Sequence, residues 1–227
     1  MNKLLTIAIA SLTFGATAAN AVVTITVEAP GVEHSTQTLI TPAMATFDAL
    51  TPGVQSGITL SAAGTVATID TVNVLSADRY GGAGGTGRYA AVLSGKTTTI
   101  TFTGAPANYF GFYASAIDAG STVTVFSGLT QVYTHALPLV PIATGHFGNP
   151  DAPFTGQNVF EGYAFFNVMS SSAITSVVFS QAPTGGNFEF DNLTIAAVPE
   201  PANWALMFAG FAMVGFSIRR RTAYASA

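Results

Sequence analysis

Between residues 22 and 196 the chain offers no segment with a sustained helical period. Its apolar runs are short, rich in Val, Ile, Thr, Phe and Tyr, and separated by Gly, Pro, Asn and Ser clusters. Branched and aromatic side chains suit a pleated, half-buried surface, and the punctuation between them marks turns, so the stretch predicts an all-β fold. Period-two alternation is clearest from Thr97 to Thr103, where Thr99 and Thr101 oppose Ile100 and Phe102. It recurs from Ser121 to Ser127, where Val123 and Val125 alternate with Thr122 and Thr124. Further strands are expected near 22–28, 58–62, 65–75, 89–93, 108–117, 130–135, 158–168, 173–180 and 187–196. Eleven strands suffice for two sheets, and no long linker, charge run or repeat divides them, so residues 22–196 read as one β-sandwich domain.

The two ends carry a different chemistry. Met1 to Ala21 opens with Lys3, continues through an apolar run from Leu4 to Phe14, and closes on Ala19-Asn20-Ala21. An apolar run of about 11 residues falls short of the roughly 20 that a helix needs to cross hydrocarbon, so residues 1–21 read as a cleaved signal peptide, with Val22 opening the mature chain. At the other end, Trp204 to Ile218 is uncharged and is followed by Arg219, Arg220 and Arg221. As a helix, residues 204–218 rise only about 22 Å, a short membrane span with Trp204 at the outer interface and the arginines at the cytoplasmic side. Before it stands Pro199-Glu200-Pro201, whose prolines stop a helix and hold an extended segment accessible to a processing enzyme.

Pro199, Glu200 and Pro201, then Trp204-Ala205, Met207, Gly210-Phe211, Gly215 and the triple Arg resemble the PEP-CTERM sorting domain in its Trp-Ala variant. The resemblance covers residues 197–227. It implies recognition in the membrane by an exosortase, with the membrane as an anchor before processing, and delivery to the surface or exopolysaccharide matrix of a Gram-negative bacterium. The order of several inner pieces is also similar to exosortase-dependent surface proteins with a jelly-roll-like domain. Those pieces are Thr46 to Gly53, Asn108 to Tyr113, Ser115 to Asp118 before Thr122 to Phe126, and Phe188 to Leu193. This second resemblance implies a jelly-roll-like β-sandwich flanked by the signal peptide and the short C-terminal helix.

Charge removes one class of partner. The chain holds 7 Lys and Arg against 11 acids, a net charge of −4, and residues 22–196 hold three cations against ten carboxylates, which leaves −7. Such a surface has no footprint for phosphate backbones, so no nucleic-acid role is expected. With no Cys there are no disulfides, thiolate metal sites or Cys nucleophiles. Lys96, in Ala90 to Thr97, satisfies a relaxed nucleotide-loop pattern, but a strand rather than a helix follows it, and a phosphate cradle needs the helix N-terminus. His34, His135 and His146 lack metal-ligand spacing, and no Gly-x-Ser-x-Gly elbow exists.

Three features could still carry chemistry. Glu161, in Val159-Phe160-Glu161-Gly162-Tyr163, and Asp118 are the acids to inspect as a polysaccharide-cleaving pair; the competing reading makes Glu161 an outward-facing strand residue. Phe188 and Phe190 share one parity while Leu193 and Ile195 share the other, so a bulge is expected at Asp191-Asn192. A bulge re-aims side chains, and Asp191 with Asp48 could offer hard oxygens to a structural calcium; alternatively Asp191 and Asn192 bond loop backbone. No cofactor is otherwise required. The Gly81 to Gly87 run and the Leu137 to Phe154 segment are long loops, either plain connections or loops folding over a ligand. The sequence therefore predicts a secreted, surface-sorted β-sandwich that binds, with extracellular polysaccharide as a partner, or builds the matrix, without enzymatic activity. The alternatives are a secreted polysaccharide hydrolase and a carbohydrate-binding module with no matrix role.

Overall fold

The computed structural model describes residues 21–140, 142–197 and 211. Ala19, the Pro199-Glu200-Pro201 motif, Trp204 and the triple Arg all lie outside the described residues, as do the segments around them. Among the described residues no helix is long and apolar enough to cross a membrane.

The domain is all-β and antiparallel. Its strands are β1 (Val23–Val27), β2 (Ile40–Ala45), β3 (Gly53–Ala62), β4 (Thr65–Ser76), β5 (Arg88–Val92) and β6 (Thr97–Gly104). They continue as β7 (Ala107–Ile117), β8 (Ser121–Ser127), β9 (Thr130–Ala136), β10 (Gly162–Ile174), β11 (Ser176–Gln181) and β12 (Phe188–Ala197). Hydrogen bonds link them in the order β1-β10-β7-β12-β5-β4-β6-β11-β8-β9, with β2 added to β12 and β3 to β4.

One strand turns this path back on itself. The first half of β4 pairs with β6, from Thr65 opposite Gly104 to Ile69 opposite Ile100. Its second half pairs with β5, from Asn73 opposite Ala91 to Ser76 opposite Arg88. A strand shared in this way belongs to two directions at once, and it brings β11 over β7 and β12 to make a nearly closed sheet. Phe179 of β11 sits in the middle, its ring centroid 4.7 Å from Phe188, 4.9 Å from Phe112 and 4.9 Å from Phe190. All four rings are buried, and at roughly 1.5–3 kcal/mol for each large apolar side chain this cluster is a major source of cohesion.

The strand pattern departs from expectation where Pro or Gly interrupts a run. β2 was not expected because Pro42 stands inside it and Thr41 has φ +43°. A proline lacks the N–H a central strand needs, but β2 bonds only to β12, so the missing donor is tolerated there. β3 begins at Gly53 rather than at 58, its alternation obscured by Gly53 and Gly57. β10 begins at Gly162 rather than at 158: Asn158 has φ +57°, and Glu161 lies in the turn before the strand, not on it. Lys96 precedes β6 directly, which leaves no helix N-terminus for a phosphate.

Candidate functional site

The sheet formed by β10, β7 and β12 is buried on both faces. Its inner face carries Phe110, Phe112, Phe166, Val168, Phe188 and Phe190 into the main core. Its outer face carries Tyr113, Tyr163 and Phe165, packed beneath Tyr80 and Ala83 of the loop that leads to β5. The outer layer is polar as well as aromatic: Asn167, Ser115, Glu189 and Asp191 are also buried there.

Two irregularities aim these side chains. The pairing of β12 with β7 shifts by one residue between Asp191 and Thr194, and Asn192 has φ +48°. This is the bulge that the parity of the sequence requires: Phe188, Phe190, Leu193 and Ile195 all enter one core. In β7, Ala116 has φ +45° and the register against β10 shifts beside it, so Ala116 joins the outer layer and Asp118 leaves the strand at the rim.

Because β10, β7 and β12 are neighbours, three acids remote in sequence meet at one end of the sheet. Asp118 follows β7, Glu161 precedes β10, and Glu189 is the second residue of β12. With Tyr80, Gly186 and Asn187 they line an open cleft of about 310 Å³. Asp118 and Glu161 lie near enough for each to act on the other's titration. Asp118 lies close against Gly186, where a Cβ would fall 2.0 Å from Asp118 Oδ2. Asn158 donates through Nδ2 to Glu161 Oε2 and to the Tyr163 hydroxyl, which in turn donates to the Arg79 carbonyl at 2.6 Å. Glu189 is 5% exposed, and its Oε2 makes no hydrogen bond. Burial, then the neighbouring Asp118 and Glu161 charges, push the Glu189 carboxyl up to about 8, although its own N–H and Asn187 favour the charged form. Burial also raises Asp118 and Glu161 above the ordinary carboxyl range.

The pair singled out in the sequence, Asp118 and Glu161, is thus brought together. Glu189 was not singled out, though its setting in Phe188-Glu189-Phe190 carried a signal: two core aromatics of one parity send the acid between them to the opposite face.

Asp48 and Asp191 lie near each other, close enough that the Asp48 charge helps to raise Asp191, but burial is the larger cause and takes Asp191 to about 7. Their oxygens are turned to backbone donors. Asp191 Oδ2 accepts Ala83 N–H at 3.1 Å, Asp191 Oδ1 accepts Asn192 N–H at 2.8 Å, and Asp48 Oδ1 accepts Arg88 N–H at 2.8 Å. Three of their oxygens are thus already engaged by backbone N–H groups. Among the described residues no three His, Asp or Glu side chains form a group that could hold a metal. His146 is buried with Nε2 2.9 Å from the Glu28 carbonyl, a structural contact.

The Gly-rich run is tied down by Asp191 as well: Ala83 bonds its carboxylate, and a Cβ on Gly85 would fall 2.0 Å from the Ala152 carbonyl. It clasps the second long loop over the outer layer. Comparison with known proteins finds no matching family model, no matching curated protein and no matching solved structure.

Proposed function

We propose that this is an exported protein, sorted through Pro199-Glu200-Pro201 by an exosortase-type membrane enzyme to the cell surface or extracellular matrix, where its β domain binds polysaccharide. In architecture we read the folded sheet as a jelly-roll-like sandwich, a reading supported by β11 packing through Phe179 onto β7 and β12. The observation that carries the binding role is the cleft at Asp118, Glu161 and Glu189. Glu189, raised to about 8, both donates and accepts near neutral pH, as vicinal sugar hydroxyls require, and Tyr80 stands in the same lining. Phe160, next to Glu161, is 91% exposed and adds an apolar surface outside the fold.

The competing reading is hydrolysis, with Asp118 and Glu161 as the two carboxyls that glycoside cleavage uses, and the two readings differ in whether the bound chains are shortened.

A glycan array probed with the exported protein tests the reading. Saturable binding to a subset of polysaccharides, with no shortening of the bound chains, is the expected result. Failure to bind any glycan, or release of shorter products that stops in Glu161→Gln, would overturn it.

A further inference from the structure

We infer that the cleft takes a sugar unit bearing a free amine, as in a partly deacetylated amino-sugar polymer, with the ammonium seated against Glu189. This rests on the polysaccharide reading and names its ligand class. Three carboxyls line the cleft, while the remaining lining is Tyr80, Asn187 and small backbone positions. Glu189 belongs to this lining, is 5% exposed, and keeps a buried Oε2 with no hydrogen bond. A buried acceptor without a donor costs free energy, and the group that relieves it most is a charged donor.

The surroundings of Glu189 supply no such donor. From the end of β7 comes Asp118 and from the turn before β10 comes Glu161, and each disfavours the negative charge of Glu189; Tyr163 of β10 and Tyr89 of β5, also near, are neutral phenols that its charge helps to keep protonated. Arg79 lies with its guanidinium 4.5 Å from the centre of the Tyr80 ring and its charge acts on Glu161. A metal ion is the poorer candidate, because no three acidic side chains here converge as ligands. An ammonium needs no fixed coordination shell: its three donors rotate to reach Glu189 while the ring hydroxyls meet the Asp118–Glu161 pair.

The seat has a proton signature. Glu189 holds a proton when the cleft is free, so binding an ammonium releases that proton to solvent, and the released fraction grows as pH falls from about 8 toward 6. The domain's net charge of −7 adds a salt-sensitive attraction.

Calorimetry on the full chain tests this with glucosamine oligomers, N-acetylglucosamine oligomers and glucose oligomers, each in two buffers of different ionisation enthalpy. The glucosamine oligomer is expected to bind at least about tenfold tighter than its acetylated form at pH 7, with proton release and weakening in salt. Glu189→Gln, which keeps the shape, should abolish both the preference and the proton release; Asp118→Asn should weaken all three oligomers. Equal affinity for amine and acetamide, an amine preference that survives Glu189→Gln, or proton release by calcium chloride alone would overturn the inference. If a neutral glycan binds and the amine has no advantage, only the ligand class fails. If no glycan binds at all, the polysaccharide reading fails with it.

Discussion

Glu28 and Glu189 are both buried, yet they titrate in opposite directions. Burial alone would raise Glu28, but it accepts Thr36 N–H at 2.9 Å, Thr36 Oγ1 at 2.7 Å and Asn167 Nδ2 at 2.8 Å, and these donors hold it below the ordinary range. Glu189 has too few donors and is raised to about 8; Glu33, half-buried and near Asp151, is also raised to about 8, chiefly by desolvation. A raised carboxyl stays protonated in the folded chain while the unfolded chain ionises, so its contribution is largest below the ordinary carboxyl pKa and declines until pH passes its folded value. Glu28 works the other way: its contribution is present above its ordinary value of 4.5 and is lost as pH falls below that. The unfolding temperature should therefore peak on the acid side, near pH 5, and fall toward about 8. For Glu189 alone the difference is on the order of 2–4 kcal/mol. Thermal melts across that range check this: Glu189→Gln should flatten the decline, and a melting temperature that rises toward pH 8 would contradict it.

At the scale of elements, the loops over the outer face behave as parts of the fold. Asn167 of β10 accepts Tyr109 hydroxyl at 2.6 Å and Ser35 hydroxyl at 2.8 Å while donating to Glu28, which pins the loop between β1 and β2. The Gly-rich run is held by Asp191 and presses against Ala152. Gly85 has φ +67°, a conformation that costs an L side chain roughly 1–2 kcal/mol before any clash is counted. Gly85→Ala should lower stability by more than that. It should also make the loops at 77–87 and 143–161 faster to cut by protease, because the added Cβ meets the Ala152 carbonyl. Unchanged proteolysis at both loops would show that the clasp does not hold them.

For the whole molecule, the sorting reading makes a prediction about mass. An exported chain that has passed a signal peptidase and an exosortase-type enzyme should begin at Val22 and lack Arg219 to Ala227. Intact-mass measurement on the secreted protein decides it; a chain that starts at Met1, or one that keeps the triple Arg, would count against the corresponding end. Removal of the Pro199-Glu200-Pro201 motif should leave the β domain able to bind glycans while changing where it accumulates, since cleft and motif lie at different parts of the chain.

What was legible in the sequence is what depends on near neighbours along the chain. Alternation of Thr with Ile, Val and Phe marked β6 and β8, and the parity change from Phe190 to Leu193 marked the bulge, because both follow from the two-residue period of a strand. β2 escaped, since Pro42 and the positive φ of Thr41 erase that period locally, and only its pairing with β12 makes it a strand. The site depended on more. Asp118 and Glu161 could be named as acids, but their meeting in one cleft, and the presence of Glu189 beside them, require that β10, β7 and β12 be adjacent. Strand order is set by how the apolar faces of the whole sheet close around Phe179, a competition among remote segments that no local window contains. The same closure set the oxygens of Asp191 against the N–H groups of Ala83 and Asn192, contacts that only the folded chain brings together.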